Sequence, residues 1–235
     1  MPGVSGLIKV GHKGADHVAP GNTLASFDAA LECGVDMVEF DVLRLRDGRL
    51  VLAHDYEDGE RPDALTLDEG LDHFAGEAYG GVQLDVDLKL PGYEAEVVEG
   101  LQSRGLDERA LISSHYLDSL AKVGKLAPGV PRGWSVPNVK RDYTKNYLLA
   151  VPAYGLLQIL RARIPGQASR AIAEGRCEAL MANRLLVTPR LVSAVHGAGG
   201  QLYVWTVDDP RQIARMEALG VDAVITNDPR LFPAG

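Results

Sequence analysis

Met37-Val38-Glu39-Phe40-Asp41-Val42 alternates acidic and apolar residues along one short run. In an extended strand successive side chains point to opposite faces, so Glu39 and Asp41 share a face and Val38, Phe40 and Val42 share the other. The segment Asp85-Val86-Asp87-Leu88-Lys89-Leu90 repeats the pattern, with Asp85, Asp87 and Lys89 on one side. The apolar face of each strand is expected to pack outward against helices, which leaves the charged face looking into something polar. Carboxylates gathered in a desolvated place repel one another and lose hydration, which raises their pKa values or demands a cation. A bound divalent metal meets that demand.

Around these two runs lie others of the same kind. Leu7–Val10, Met37–Val42, Val82–Leu88, Ala110–Ser113, Gly133–Val136, Ala179–Ala182, Leu202–Thr206 and Ala223–Thr226 are short and apolar, and segments of helical periodicity separate them. Strands alternating with helices imply parallel pairing, and eight such units predict a closed (β/α)8 TIM barrel. Asn22 or Thr23 can cap a helix that carries Leu24, Phe27 and Leu31 on one face. Gly34 stands at its stop, and similar stops are expected at Gly105, Gly200 and Gly220.

A ninth run, Leu50–Ala53, follows Asp47-Gly48, a strong short-range hairpin signal, so a small β-hairpin is expected after strand 2. A two-residue turn would pair Arg46 with Arg49 and bring His54 opposite Asp41. A three-residue loop or a bulge would shift that register. The stretch 137–176, with Lys140, Arg141, Lys145, Arg161 and Arg163 among apolar residues, reads as a helical lid insertion at the barrel mouth. Its basic face is either solvated or in contact with lipid or an acyl chain.

The 235 residues fit a single domain spanning 1–235. The first residues lack the pattern of a secretory signal and no run is long and apolar enough to cross a membrane, so a cytoplasmic protein is expected. Cys33 and Cys177 have no metal-ligand spacing and read as free thiols. A net charge of −8 argues against general nucleic-acid binding, while an anionic small molecule remains compatible with it.

Barrel enzymes build their sites at the C-terminal ends of the strands. Those ends carry His12, Glu39 with Asp41, Asp87 with Lys89, His115, Trp134, Asn183, Trp205 and Asn227. Glu39, Asp41 and Asp87 are hard oxygen ligands suited to Mg2+ or Ca2+. His12 and His54 can relay protons near neutral pH, and Lys13 and Lys89 supply positive charge for an anion. Displacement at a phosphodiester needs that set: charge neutralisation on the phosphoryl oxygens, one acid and one base. The rival reading pairs Glu39 and Asp41 with Lys9 or Lys89 and leaves no place for a metal. Asp85, deeper in its strand, is expected to pair with a buried cation. His115 either contacts substrate or caps the next helix, and Trp205 either walls the pocket or fills the core. His17 and His73 read as surface residues.

The segment GHKGADHVAPGNTLASFDAALECGVDMVEFDVLRLRDGRLVLAHD, Gly11 to Asp55, resembles the signature of the glycerophosphodiester phosphodiesterase family. That signature runs His-Arg-Gly, Pro-Glu-Asn-Thr, Glu-x-Asp-Val, Asp-Gly and a closing His-Asp. Asp87-Leu88-Lys89, Trp205-Thr206-Val207 and Ile225-Thr226-Asn227-Asp228-Pro229 extend the similarity. The resemblance implies a metal-dependent barrel that releases glycerol 3-phosphate and an alcohol from glycerophosphodiesters. It implies His12 and His54 as acid and base, Glu39, Asp41 and Asp87 as ligands of a divalent metal, and Lys89 as a phosphate contact. Lys13, His115 and Trp205 complete the expected substrate-binding set. Three departures stand out: Lys13 where the family has Arg, Asp87 where it has Glu, and Gly21 in place of the Glu of Pro-Glu-Asn-Thr. They leave open two other readings: a lysophospholipase D or sphingolipid-type phosphodiesterase, or a weakened barrel that binds a phosphorylated ligand.

Overall fold

The computed structural model describes residues 6–138 and 150–233. Eight parallel strands close into a barrel: β1 (Ile8–Gly11), β2 (Met37–Arg44), β4 (Gln83–Leu88), β5 (Ala110–Ser114), β6 (Arg132–Val136), β7 (Ala179–Asn183), β8 (Gln201–Trp205) and β9 (Ala223–Thr226). β1 pairs with both β9 and β2, which completes the ring. β3 (Leu50–Leu52) lies outside it as the second arm of a hairpin on β2. Each expected strand coincides with an observed one to within a residue or two.

Helices α1 (Leu24–Glu32), α2 (Tyr56–Gly59), α3 (Leu67–Phe74), α4 (Glu94–Gln102), α5 (Leu117–Leu126), α6 (Ala150–Ala173), α7 (Pro189–Gly197) and α8 (Pro210–Ala218) connect the strands. Among the described residues none is long and apolar enough to cross a membrane. Thr23, not Asn22, caps α1, accepting the Ser26 N–H at 3.2 Å. Phe27 is fully buried beneath that helix while Leu24 is exposed, so the apolar face is turned slightly from the expected one. Gly34, Gly105 and Gly220 adopt the left-handed backbone of a helix stop, but after α7 that role falls to Gly199. Gly200 is instead buried where a Cβ would meet Ile172 at 2.6 Å.

The barrel separates two apolar regions. Val38, Phe40, Val42, Val86 and Leu88 point outward into a core shared with α1, α3 and α4. Val10, Met37, Leu111, Met181, Tyr203 and Ile225 fill the interior toward the strands' N-terminal ends. Above them the inward positions turn charged, as the alternation in β2 and β4 requires.

The hairpin differs from the two-residue expectation. Val42 pairs with Leu52 and Arg44 with Leu50, and Leu45 N–H donates to Arg49 O at 2.9 Å. Arg46, Asp47 and Gly48 therefore form a three-residue loop, in which Gly48 takes a positive φ of 94°. The register is shifted by one residue, and β3 ends before His54.

Of the 137–176 segment, Lys140, Arg141 and Lys145 lie outside the described residues. The second half of α6 belongs to the barrel wall, where Ile164, Ala168, Ala171 and Ile172 pack under α7 and β7. Toward its start α6 carries exposed Tyr154, Leu156 and Ile159. Arg161, partly buried, donates to Leu185 O at 2.8 Å, just past the end of β7, and Arg163 is exposed. Cys33 and Cys177 are free thiols.

Phe27, Phe40 and Phe74 lock α1 and α3 against β2, with ring centroids 4.7, 5.0 and 6.1 Å apart. All three are fully buried. Phe74→Ala leaves a cavity between α3 and β2 and is expected to cost about 3–5 kcal/mol in a urea titration; a loss below 1 kcal/mol would mean that the cluster is not a keystone.

Candidate active site

Parallel register assembles the acids. β2 and β4 pair so that Glu39 stands beside Asp85 and Asp41 beside Asp87, and β4 pairs with β5 so that Asp87 stands beside Ser113. Adjacent strands lie about 4.8 Å apart, so four carboxyl groups share one patch of the barrel interior. All four are buried. Oxygens of Glu39, Asp41 and Asp87 fall within 4.8 Å of one another. Lys89, immediately after β4, lays its ammonium between two of them: it donates to Asp87 Oδ2 at 2.7 Å and forms an ion pair with Asp41 Oδ1.

These groups cannot all ionise in a desolvated space, and the structure divides the charge among them. Burial works against an ionised Asp41, but Lys89, with His12 and His54, overrides it and holds that carboxyl well below the usual range. Burial pushes Glu39 well above its ordinary value, and the charge on Asp41 adds to the effect. Burial likewise raises Asp85, to about 8, although Ser113 Oγ donates to it at 2.6 Å. Lys89 is raised well above its ordinary value because Asp41, Asp87 and Glu39 outweigh its own desolvation. Asp85 was expected to meet a buried cation; it is held by a hydroxyl instead, because the ammonium sits one step higher on the strand.

The turn after β1 is built around close backbone approach. A Cβ on Gly14, whose φ is 86°, would meet Ser26 atoms at 2.6 Å, so only glycine fits. Lys13 and Asn22 both take positive φ, 50° and 58°. Such backbone costs about 1–3 kcal/mol per residue and persists only where the surroundings over-determine it. Here they do: Lys13 N–H donates to Glu39 Oε2 at 2.8 Å, and Asn22 N–H donates to Lys13 O at 3.0 Å. The Asn22 side chain then grips Asp41 twice, with Nδ2 donating to Oδ2 at 2.9 Å and Oδ1 accepting the Asp41 N–H at 3.1 Å. The sequence alone offers Asn22 only as a possible helix cap. The signal available in the sequence was that Thr23 could do that job alone.

His12, Glu39, His54, Asp87, Lys89, His115 and Trp205 line one cleft of about 300 Å³. His12 Nε2 lies 3.8 Å from Glu39 Oε2, and burial lowers its pKa against the opposing pull of Asp41. His54 reaches the cleft by a bend after β3 and not by the expected strand pairing; about half of its side chain is exposed, with Nδ1 3.6 Å from Asp55. His115 Nδ1 donates to Ser135 O at 2.8 Å, and Tyr116, not His115, occupies the cap of α5. Trp205 Nε1 donates to Met181 O at 3.0 Å, which pins the indole on the cleft wall while its body rests on the interior core. Lys13 does not join this cleft. It lines a smaller one of about 150 Å³ with Asn22 and Arg61, its ammonium 3.5 Å from Asp16. His17 is exposed; His73, partly exposed, meets Asp28 at 2.8 Å on the outer wall.

The Gly21 departure has a local counterpart. Gly21 N–H donates to Asp16 Oδ1 at 2.8 Å, and a Cβ at position 21 would lie 2.6 Å from that oxygen. The Asp16 carboxylate thus fills the space that a side chain at 21 would need.

A closed parallel barrel with its polar cleft at the C-terminal ends of the strands defines the class of (β/α)8-barrel enzymes. Within that class the chain belongs to the glycerophosphoryl diester phosphodiesterase family, whose profile it matches over residues 12–73 and 81–231. It is 27% identical over 256 residues to a glycerophosphodiester phosphodiesterase of Caldanaerobacter subterraneus subsp. tengcongensis, covering 94% of each chain. A glycerophosphodiester phosphodiesterase of Bacillus altitudinis is also 27% identical, over 93% of each chain. Among solved structures, an Oleispira antarctica phosphodiesterase in complex with the product sn-glycerol-3-phosphate has a TM-score of 0.69 at 22% identity, over 94% of this chain and 93% of that one. A glycerophosphodiester phosphodiesterase from Parabacteroides distasonis has a TM-score of 0.72 at 18% identity, over 96% and 94%.

A carboxyl whose folded pKa is raised binds its proton more tightly than in the unfolded chain, so its contribution to stability is full below the unfolded pKa and declines up to the folded one. For metal-free protein, Asp85→Asn is therefore expected to gain stability over the parent chain as pH rises from about 4 to about 8. Urea titrations across that window check the sign, and a gap that narrows with pH would exclude a neutral Asp85.

Proposed function

We propose that this protein hydrolyses glycerophosphodiesters to glycerol 3-phosphate and an alcohol, with His12 and His54 as the acid–base pair and a divalent cation held by Glu39, Asp41 and Asp87. One observation carries the reading: three buried carboxylates converge within 4.8 Å of one another, and two of them, Glu39 and Asp87, line a cleft that also receives both imidazoles. The donor set fits a hard cation, Mg2+ or Ca2+, because it is made only of carboxylate oxygens. Asp41 Oδ1 adds to the fit: it is buried and meets the Lys89 ammonium, so this oxygen already serves a cation. When bound, such a cation supplies charge neutralisation to the phosphoryl oxygens.

The chain's own groups supply the remaining parts. Lys89 stays charged among the acids and offers a second positive centre for the phosphate. His12 is recessed, with a fifth of its side-chain surface accessible, while His54 opens to solvent and can exchange protons with water. Trp205 and His115, with ring centroids 6.4 Å apart and planes at 75°, form a wall against which the glycerol or the alcohol can rest. The names of the two relatives and the product held by the Oleispira protein support this substrate class.

A second reading draws on α6. Helices of a barrel run antiparallel to its strands, so the start of α6, with exposed Tyr154, Leu156 and Ile159, stands on the side where the cleft opens. Those apolar side chains favour a lysophospholipid, whose acyl chain would lie against them.

His12→Ala is expected to lower the hydrolysis of glycerophosphocholine roughly 10²–10⁴-fold with the circular dichroism spectrum unchanged. Chelator is expected to abolish turnover, and added Mg2+ or Ca2+ to restore it; full activity in chelator would remove the metal from the reaction. Lysophosphatidylcholine assayed alongside separates the two substrate readings: cleavage at least equal to that of glycerophosphocholine supports the second.

A further inference from the structure

His12 is held from behind by a chain of polar contacts that no part of the reaction described so far uses. Its Nδ1 lies 2.5 Å from Asn227 Oδ1. Asn227 Nδ2 in turn donates to Asp208 Oδ2 at 2.7 Å. The other oxygen of Asp208 accepts the Asn227 backbone N–H at 2.8 Å and the Thr226 hydroxyl at 3.0 Å. The chain spans three neighbouring strands, from the loop after β8, through the end of β9, to the end of β1, where His12 N–H also donates to Thr226 O at 2.8 Å.

The chemistry of the donors and acceptors orders this chain in one direction. An ionised carboxylate only accepts, so the face of Asn227 turned to Asp208 must be its NH2 group. The amide oxygen is then the face turned to His12. An amide oxygen cannot donate, so the proton between them must reside on His12 Nδ1. In the neutral ring the lone pair is left on Nε2, the nitrogen that faces the cleft on the Glu39 side.

We infer that Asp208 and Asn227 are positioning residues that fix His12 as its Nδ1–H tautomer and aim the bare Nε2 at the reacting phosphodiester. This rests on the proposed role of His12, but the tautomer itself is a property of the resting protein and is measured without substrate. The oxygen of Asn227 acts as the orienting acceptor, and Asp208 determines which end of the amide presents itself. Asp208 touches neither His12 nor the cleft, and its influence passes entirely through the amide.

Two substitutions separate this from a merely structural role. Asp208→Asn is nearly isosteric and lets residue 208 donate, so the Asn227 amide can turn over and offer its NH2 group to His12. Asn227→Leu removes the acceptor. With 15N-histidine-labelled protein in mildly alkaline buffer, and a His12→Gln sample to assign the resonances, the parent chain is expected to show His12 with Nδ1 protonated. Both variants are expected to show the Nε2–H form or a mixture, with kcat lowered about 10–100-fold and KM little changed. Circular dichroism confirms that the variants fold. A parent His12 protonated on Nε2, or variants that keep both the tautomer and kcat of the parent, would overturn the inference. Failure of the phosphodiesterase reading is distinct: the parent chain would then leave glycerophosphocholine intact, or His12→Ala would turn it over unchanged, whichever tautomer the parent displays.

Discussion

One ammonium is set among four buried carboxyls at the open end of the barrel, and the rest of the site follows from that imbalance. Lys89 satisfies Asp41 and Asp87, and it leaves Glu39 and Asp85 with too little positive charge nearby to ionise readily. A Born-type cost of several kcal/mol per uncompensated buried ion makes such a patch untenable in a plain core. The barrel answers in two ways. Deep in the interior, burial raises the pKa of Asp85 to about 8 while the Ser113 hydroxyl donates to its carboxyl. Nearer the rim, three acids converge on a place where a divalent cation would complete the balance.

The loops bordering this patch are stiffened where they meet it. Lys13 and Asn22 adopt left-handed backbone conformations, and both are tied to the acids of β2, one through its N–H and the other through its amide. Asn22 touches both the backbone and the side chain of Asp41, so the conformation of the β1–α1 loop and the orientation of a candidate metal ligand are one structural fact. Asp16 serves the same loop from the other side, bonding Gly21 N–H and facing Lys13. The lack of a side chain at Gly21 leaves room for the carboxylate five positions earlier, which lies where a Cβ at 21 would stand. On the other flank of β1, Asn227 backs His12 much as Asn22 backs Asp41. Rigid backing of this kind limits the motion of groups whose geometry must be held to a fraction of an ångström.

Much of this was legible before any coordinates. Periodicity located all eight barrel strands, and alternation in two of them identified which acids face inward, because side chains in a strand must alternate. The meeting of Glu39, Asp41 and Asp87 was expected from the same rule together with the family resemblance. What the pattern could not give were relations decided by one residue of register or one turn of backbone. His54 reaches the cleft after the hairpin strand has ended, because the loop holds three residues and not two. Lys13, expected to supply charge for an anion, has its ammonium 3.5 Å from Asp16 in a neighbouring, smaller cleft. α6 had the polarity of a lid, yet its second half is part of the wall, since buried Ile164, Ala168 and Ile172 fall on a face that the basic residues around them obscured.

From its order of residues alone this chain specified the barrel and the inward acids, because those depend on local periods of two and 3.6 residues, while the pair of histidines was singled out by the motif that it shares with the acids. Only the folded molecule decided how the charges are shared, which hydroxyl holds Asp85, and which way the Asn227 amide points. Those outcomes depend on distances between residues as far apart in sequence as His12 and Asn227, and such distances are fixed by closure of the ring between β1 and β9. A pattern of side chains states what must face inward; the register between strands states what each group will meet there.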